Sequence, residues 1–467
     1  MKKTKIICSI GPSSCTPDVM EKMVLSGMNV ARINFSHATL EEKQNVVDTV
    51  HEVRKRTGKN VAILYDTKGP EFRSGMLENG EIKLVEGNKI RIVKEDVLGN
   101  EERITVNHPQ ALDSLKVGNI ILLENGLMEM VVESCDIDGG VTCRIIRGGM
   151  LGNKKSLSAP GVKLDIPFIS DQDKDDLIYA CQHEGDYIAL SFVSYPTDVE
   201  EARAILREYN RPDLKIISKI ESAAGIENIN EIIRLSDGIM VARGDLGVEM
   251  PLEQIPVLQK MIIKKCREQG KIAVVATEML ESMKKNIRPT RAEASDIANA
   301  VIDGTDAVML SGETTTGKYP VEAVKSMAHI CEFTEEYINY NNKVHTKFEN
   351  DIPSTIARGI VEATNALNIP VVVAATMSGY TAQKISNLRP KSIILAACPN
   401  EDVAHSLSLN FGVYPVIIPL SKSTDELVEA CMNEARNELN LEAGTKIVIT
   451  GGFPNHMEVK KDKLHEN

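Results

Sequence analysis

The stretch RPTRAEASDIANAVIDGTDAVMLSGET (residues 288–314) contains one complete helix-then-strand unit. Thr290 is placed to cap a helix while Glu293 reaches back to it, the arrangement of a capping box. Ala294, Ile297, Ala298 and Val301 then recur at i, i+3, i+4 and i+7, which is one apolar stripe on a helix. The short run 307–311 reads as a buried strand and ends in a polar residue.

Working outward, the same alternation recurs. Apolar β-rich runs stand at 4–10, 30–35, 61–66, 187–192, 215–220, 238–243, 272–277 and 307–311. Ser170 with Asp173 opens the helix between the third and fourth of these, and Gly185 is expected to close it. Eight strands alternating with helices predict an α/β fold built on a (β/α)8 TIM barrel, occupying residues 1–69 and 168–340. A doubly wound sheet fits the count less well. Residues 70–167 interrupt the pattern with Gly-punctuated alternation, as in GEIKLVEGNKIRIV, and read as an inserted all-β lid domain after the third barrel strand. Beyond the polar stretch NYNNKVHTKFENDIPS the alternation restarts at 371–376, 392–398, 413–418 and 446–450, which predicts a C-terminal α/β domain over 350–467.

Composition narrows the function classes. The chain has 467 residues, 42% hydrophobic and 26% charged, and a formal net charge of −12. That balance argues against nucleic acid or an anionic membrane as a partner of the whole surface. Nine Cys without a CxxC pair suggest reduced thiols. The opening MKKTKIICSIGPSS imitates a signal peptide, but its apolar run breaks at Gly11-Pro12. No apolar stretch nears the roughly 20 residues that span a bilayer. A cytoplasmic protein is expected.

In such a barrel, ligands meet the C-terminal ends of the strands. Six of the eight ends carry functional side chains: Arg32, Asn34, Ser36 and His37 on the second, then Asp66, Thr67, Lys68, Glu71 and Arg73 on the third. Lys219 and Glu221 follow the fifth, Arg243-Gly244-Asp245 the sixth, Thr277-Glu278 the seventh and Ser311-Gly312-Glu313 the eighth. Glu221 and Asp245 can share one hard divalent cation, since Mg²⁺ takes one or two carboxylates. Gly244 lets backbone approach a ligand, and a short helix expected from Asp245 would offer N–H groups to a small carboxylate. Arg32, Arg73 and Lys219 suit phosphate. Cations, a metal pair and an anion nest at one mouth point to phosphoryl transfer.

The segments GMNVARINFSH, DTKGPEFR, IISKIES, DGIMVARGDLGVEMP and RPTRAEASDIANAVIDGTDAVMLSGET resemble the successive signatures of pyruvate kinase, from Lys5 through about Gly412. The resemblance implies transfer of a phosphoryl group from phosphoenolpyruvate to ADP, giving pyruvate and ATP, by a homotetramer with a mobile lid. It implies Lys219, Thr277, Arg32 and Arg73 as catalytic residues. Lys219, Gly244, Asp245, Thr277 and Arg32 would bind phosphoenolpyruvate, and Pro12, Asn34, His37, Arg73 and Lys155 the nucleotide. Glu221 and Asp245 would hold Mg²⁺ (or Mn²⁺), and Asn34, Ser36, Asp66 and Thr67 would hold K⁺. Glu71, where some members have Lys, marks the K⁺-dependent type.

The chain departs from the family pattern at Glu278 (family Gln), at Glu124-Asn125-Gly126 (family DDG), at 156–161 (SLSAPG for GVNLPG) and at Ser194 (family Arg). The loop TMSGYTAQ (376–383) suits the phosphate of a sugar-phosphate effector, whereas TGGFPNHMEVKKDKLHEN lacks the Gly-rich terminal loop that helps close such a site. Two rival readings are a Mg²⁺-dependent barrel lyase or aldolase acting on pyruvate enolates, which has no need of Lys219, the lid or the Arg pair, and a catalytically weak paralogue acting as a metabolite sensor.

Overall fold

The computed structural model describes residues 1–36, 38–340, 351–419, 421 and 423–451. They form two compact units, Lys2–Ile338 and the chain from Asn339 onward.

The first unit contains a closed barrel of eight parallel strands: β1 (Lys5–Ser9), β2 (Val30–Asn34), β3 (Ala62–Asp66), β4 (Tyr187–Leu190), β5 (Lys215–Ile220), β6 (Gly238–Ala242), β7 (Ile272–Ala276) and β8 (Ala307–Leu310). Neighbours in the ring follow chain order, and β8 closes onto β1 through pairs such as Lys5 with Ala307. Nearly every strand residue is buried, because side chains on one face fill the barrel and those on the other meet the helices. The capping boxes at Thr290/Glu293 and Ser170/Asp173 both form, starting the helices Arg291–Asp303 and Asp171–Gln182.

Several local expectations are corrected. β4 and β7 stop two residues and one residue short of the runs read from sequence, at Leu190 and Ala276. Phe192 (φ 57) and Thr277 (φ 68) have left-handed backbone, which cannot continue a strand. The short helix after β6 begins at Arg243 rather than Asp245. Gly185 does not supply the left-handed residue after helix Asp171–Gln182; Glu184 does, at φ 51. Glycine is needed at 185 for close approach, because a Cβ there would lie 2.9 Å from the Tyr65 ring and 3.0 Å from the Ala180 carbonyl oxygen. In helix Arg291–Asp303, Ile297 and Val301 are buried but Ala294 and Ala298 only partly so. Those two line a groove with Ile330 and Phe333 of helix Pro320–Glu336.

Between β3 and β4 the chain builds a six-stranded sheet and a two-stranded one around a core of its own, including Ile90, Ile104, Leu123, Met130 and Cys143. The second unit carries four parallel strands, β9 (Val371–Ala375), β10 (Ile393–Cys398), β11 (Val413–Ile417) and β12 (Ile447–Thr450), in the order β11-β10-β9-β12. Apolar clusters cover both faces of that sheet. Among the described residues, no helix is long and apolar enough to cross a membrane.

Gly238 tests the tightness of the barrel. A Cβ there would approach Ile217 Cδ1 and Ile272 Cβ at 2.8 Å and the Ile272 carbonyl oxygen at 2.9 Å. Gly238→Ala is therefore expected to destabilise by about 1–3 kcal/mol through overpacking, read as a lower urea midpoint.

Candidate active site

Hydrogen bonds and ion pairs link the C-terminal ends of five consecutive barrel strands. Ser9 Oγ, at the end of β1, accepts from Arg32 Nη1 of β2 at 2.6 Å. Arg32 Nε meets Asp66 Oδ2 of β3, also at 2.6 Å. Asp66 Oδ1 receives Lys219 Nζ of β5 at 3.2 Å, and the same ammonium lies 3.1 Å from Glu221 Oε1. Ser191, just past β4, accepts from Lys219 at 2.7 Å. Its Oγ lies 3.2 Å from Asp66 Oδ1 and 2.7 Å from the Thr67 carbonyl. Sequence reading missed Ser9 and Ser191; the one available signal is that each directly follows a short apolar run, Ile6–Cys8 and Tyr187–Leu190.

Burial sets the protonation of this network. Asp66 is fully buried, which opposes ionisation, yet Arg32 and Lys219 outweigh that and hold its carboxyl below the usual range. Burial works against the Lys219 ammonium, but Asp66 and Glu221 prevail and raise its pKa. Glu221 is pushed up to about 7 by burial, with Asp245 adding like charge, although Lys219 and the Phe192 N–H (2.6 Å) favour the carboxylate. Asp245 is half-buried, and neither a hydrogen bond nor an ion pair engages its side chain among the described residues. Two cations thus face three carboxylates.

Thr277 stands opposite. Its Oγ1 donates to the Ala276 carbonyl at 2.6 Å and accepts the Gly244 N–H at 2.9 Å. Thr277 and Glu278 both have left-handed backbone, each at a cost of about 1–3 kcal/mol that surrounding contacts must offset. Two other strand-end residues turn away from the mouth. Glu313 is buried and accepts the N–H groups of Leu280 (2.9 Å) and Ser311 (2.8 Å). Arg243 pairs with Asp296 of helix Arg291–Asp303.

The remaining expected residues lie elsewhere. Asn34 is in register with Asp66, and its Oδ1 accepts the Ser36 N–H at 3.1 Å. Thr67 Oγ1 accepts the Ser191 N–H at 3.2 Å. Arg73 and Lys155 sit side by side on the inserted segment, bridged through Ser74 and Ser156. Arg73 forks onto Glu71 and donates to the Lys154 carbonyl at 2.9 Å, while Glu71 also takes Lys68 at 2.8 Å. Burial disfavours the Glu71 carboxylate, but these two cations hold its pKa low. Lys155 pairs with Glu124 at 2.5 Å. Neither Arg73 nor Lys155 is hydrogen-bonded to the Lys219 network. Pro12 is exposed on the loop after β1. His37 lies outside the described residues.

Family models described as "Pyruvate kinase, barrel domain" and "Pyruvate kinase, alpha/beta domain" match residues 1–324 and 354–464. The chain belongs to the pyruvate kinase family. A pyruvate kinase of Geobacillus stearothermophilus is 45% identical over 457 residues, covering 97% of this chain and 78% of that protein. One from Staphylococcus aureus (strain MRSA252) is 44% identical over 460 residues with the same coverage. The crystal structure of a pyruvate kinase from Cryptosporidium parvum matches with a TM-score of 0.93 at 38% identity, covering 97% of this chain and 94% of that one.

Two departures from the pyruvate kinase pattern turn out to be partners. Ser156 Oγ donates to Asn125 Oδ1 at 2.9 Å and accepts the Asn125 N–H at 3.2 Å. A third, Ser194, pairs with Ser222 at 2.7 Å, and Glu278 is exposed.

Ser191→Ala removes the closest partner of Lys219 and leaves buried polar atoms unmatched. Its expected cost is about 1–3 kcal/mol of stability, seen as a lower urea midpoint, together with roughly tenfold slower turnover in steady-state kinetics.

Proposed function

We propose that this chain transfers the phosphoryl group of phosphoenolpyruvate to ADP, giving pyruvate and ATP. The observation that carries the reading is the Lys219 ammonium, held between Asp66, Glu221 and Ser191 at the mouth of a pyruvate kinase barrel. Residues 1–69 and 168–340 act as the catalytic barrel, 70–167 as its lid and 350–467 as a regulatory domain.

The residues fit a divalent cation. Asp245 is unpaired and adds repulsion to the buried Glu221, so the two carboxylates lack a counter-charge that Lys219 alone does not supply. Mg²⁺ (or Mn²⁺) takes one or two protein carboxylates and leaves its other positions to water and substrate oxygens. Glu221 and Asp245 would hold it, and the chemistry supplied there is neutralisation of phosphate and enolate charge. Asn34, Ser36, Asp66 and Thr67 offer only oxygen donors, the set that suits K⁺.

The chain's own groups then divide the reaction. Arg32 and Arg73 hold phosphate oxygens, and Lys219 neutralises the phosphoryl group as its bond to the enol oxygen breaks and a bond to the ADP terminal oxygen forms. The Gly244-Asp245 backbone binds the substrate carboxylate. The enolate's electron pair takes a proton at C3 from the Thr277 side, completing the methyl group of pyruvate. Pro12, Asn34, His37, Arg73 and Lys155 are the residues assigned to the nucleotide, and the Lys155–Glu124 pair must open or turn for Lys155 to meet ADP. The same reading makes the protein a cytoplasmic homotetramer.

Lys219→Met is the direct test. It should lower kcat by roughly 10²–10³-fold or more while phosphoenolpyruvate still binds in the presence of Mg²⁺, and wild-type turnover should require K⁺. Wild-type protein that binds phosphoenolpyruvate and never turns over would instead favour the metabolite sensor. A second prediction concerns pH. Protonation of Glu221 competes with metal, so Mn²⁺ affinity followed by electron paramagnetic resonance should weaken as pH falls through about 7 and be restored above it. In Glu221→Gln that dependence should disappear along with most of the affinity.

A further inference from the structure

Arg243 directly follows β6 and opens the short helix after it, yet its guanidinium is not bonded to the Lys219 network. Nη1 meets both oxygens of Asp296, at 2.7 and 2.6 Å, and the side chain is 12% exposed. Nη2 donates to the Thr277 carbonyl at 2.7 Å and lies 2.9 Å from Met279 Sδ. The next residue, Gly244, donates its N–H to Thr277 Oγ1. The first two residues of the short helix after β6 therefore grip Thr277 at both its carbonyl and its hydroxyl.

That grip falls where the backbone needs it. Thr277 is β-branched and left-handed at φ 68, and Glu278 follows at φ 55, so two successive residues occupy a conformation they would leave if released. Glu278 contributes no hydrogen bond or ion pair among the described residues. The anchor is firm because Asp296 belongs to helix Arg291–Asp303, whose Ile297, Ala300 and Val301 are packed in the barrel shell.

We propose that Arg243 and Asp296 are positioning residues for protonation at C3: their ion pair clamps the Thr277 turn so that its hydroxyl faces the enolate carbon. The inference rests on the reading of Thr277 given above. It separates two parts of the mouth, since phosphoryl transfer belongs to the Lys219 network, to which Arg243 is not bonded. Loss of the clamp should then impair proton delivery more than phosphoryl transfer or substrate binding.

The experiment compares Arg243→Lys, Asp296→Asn and Thr277→Val in the full-length protein with Mg²⁺ and K⁺. Three quantities are read: exchange of pyruvate C3 protons in D₂O by NMR, phosphoenolpyruvate affinity, and the facial selectivity of C3 protonation with stereospecifically labelled phosphoenolpyruvate. Arg243→Lys keeps the charge but has no fork to span Asp296 and the Thr277 carbonyl together. Asp296→Asn keeps the helix surface and removes the counter-charge. Both should lose at least about tenfold in exchange and lose facial selectivity, with phosphoenolpyruvate affinity within about twofold of wild type. Exchange lost in Thr277→Val but intact in both clamp variants would overturn the clamp. Full exchange in Thr277→Val would overturn the role of Thr277 itself. Equal losses of exchange and affinity in folded clamp variants would reduce the pair to a structural contact and also overturn the proposal.

Discussion

The fully buried carboxylate of Asp66 is the constraint around which the mouth of the barrel is organised. An ion taken out of water costs several kcal/mol unless its oxygens are matched, and Asp66 meets that demand with Arg32, Lys219 and Ser191. Each partner comes from a different strand, so the carboxylate fixes β2, β3, β5 and the end of β4 relative to one another. The two cations placed around it are the ones proposed to meet the substrate phosphate. Charge pairing that stabilises the substrate-free protein thus also fixes the side chains of Arg32 and Lys219 at the mouth of the barrel.

The opposite side of the mouth works by a different principle. Its residues act less through charge offered to a ligand than through charge spent on the backbone. Glu313 ties Ser311 to Leu280, and Arg243 ties Thr277 to a helix. The second of these holds Thr277 in a left-handed conformation that cannot continue a strand. A barrel whose strand ends carry polar residues is therefore not uniformly lined for ligand; some of those residues serve only to hold others in place.

The inserted β segment shows how a chain can leave its family pattern and remain consistent. Asn125 and Ser156 each differ from the usual residue, and each is the other's hydrogen-bond partner. Left-handed Asn125 (φ 55) suits a residue type that tolerates that backbone well. The neighbouring Glu124 reaches Lys155, so the tip of the segment is braced by pairs drawn from its own two loops.

Much of this was legible in the chain alone. Strand period, capping boxes at Thr290 and Ser170, and the residue types at six strand ends follow from local chemistry, because burial, helix caps and turns are each settled within a few residues. Ser9 and Ser191 were not legible, since a serine after an apolar run is ordinary until its partners are known. Nor was the direction taken by Arg243, or the use of Glu184 rather than Gly185 to leave a helix. Closure of the barrel brings Lys219 to Asp66 across 153 positions of sequence and Arg243 to Asp296 across 53. Which of the polar groups at the mouth meet one another, and which turn to brace the backbone, is fixed only by that closure, because hydrogen bonds and ion pairs act over a few ångströms and the chain by itself sets no such distances.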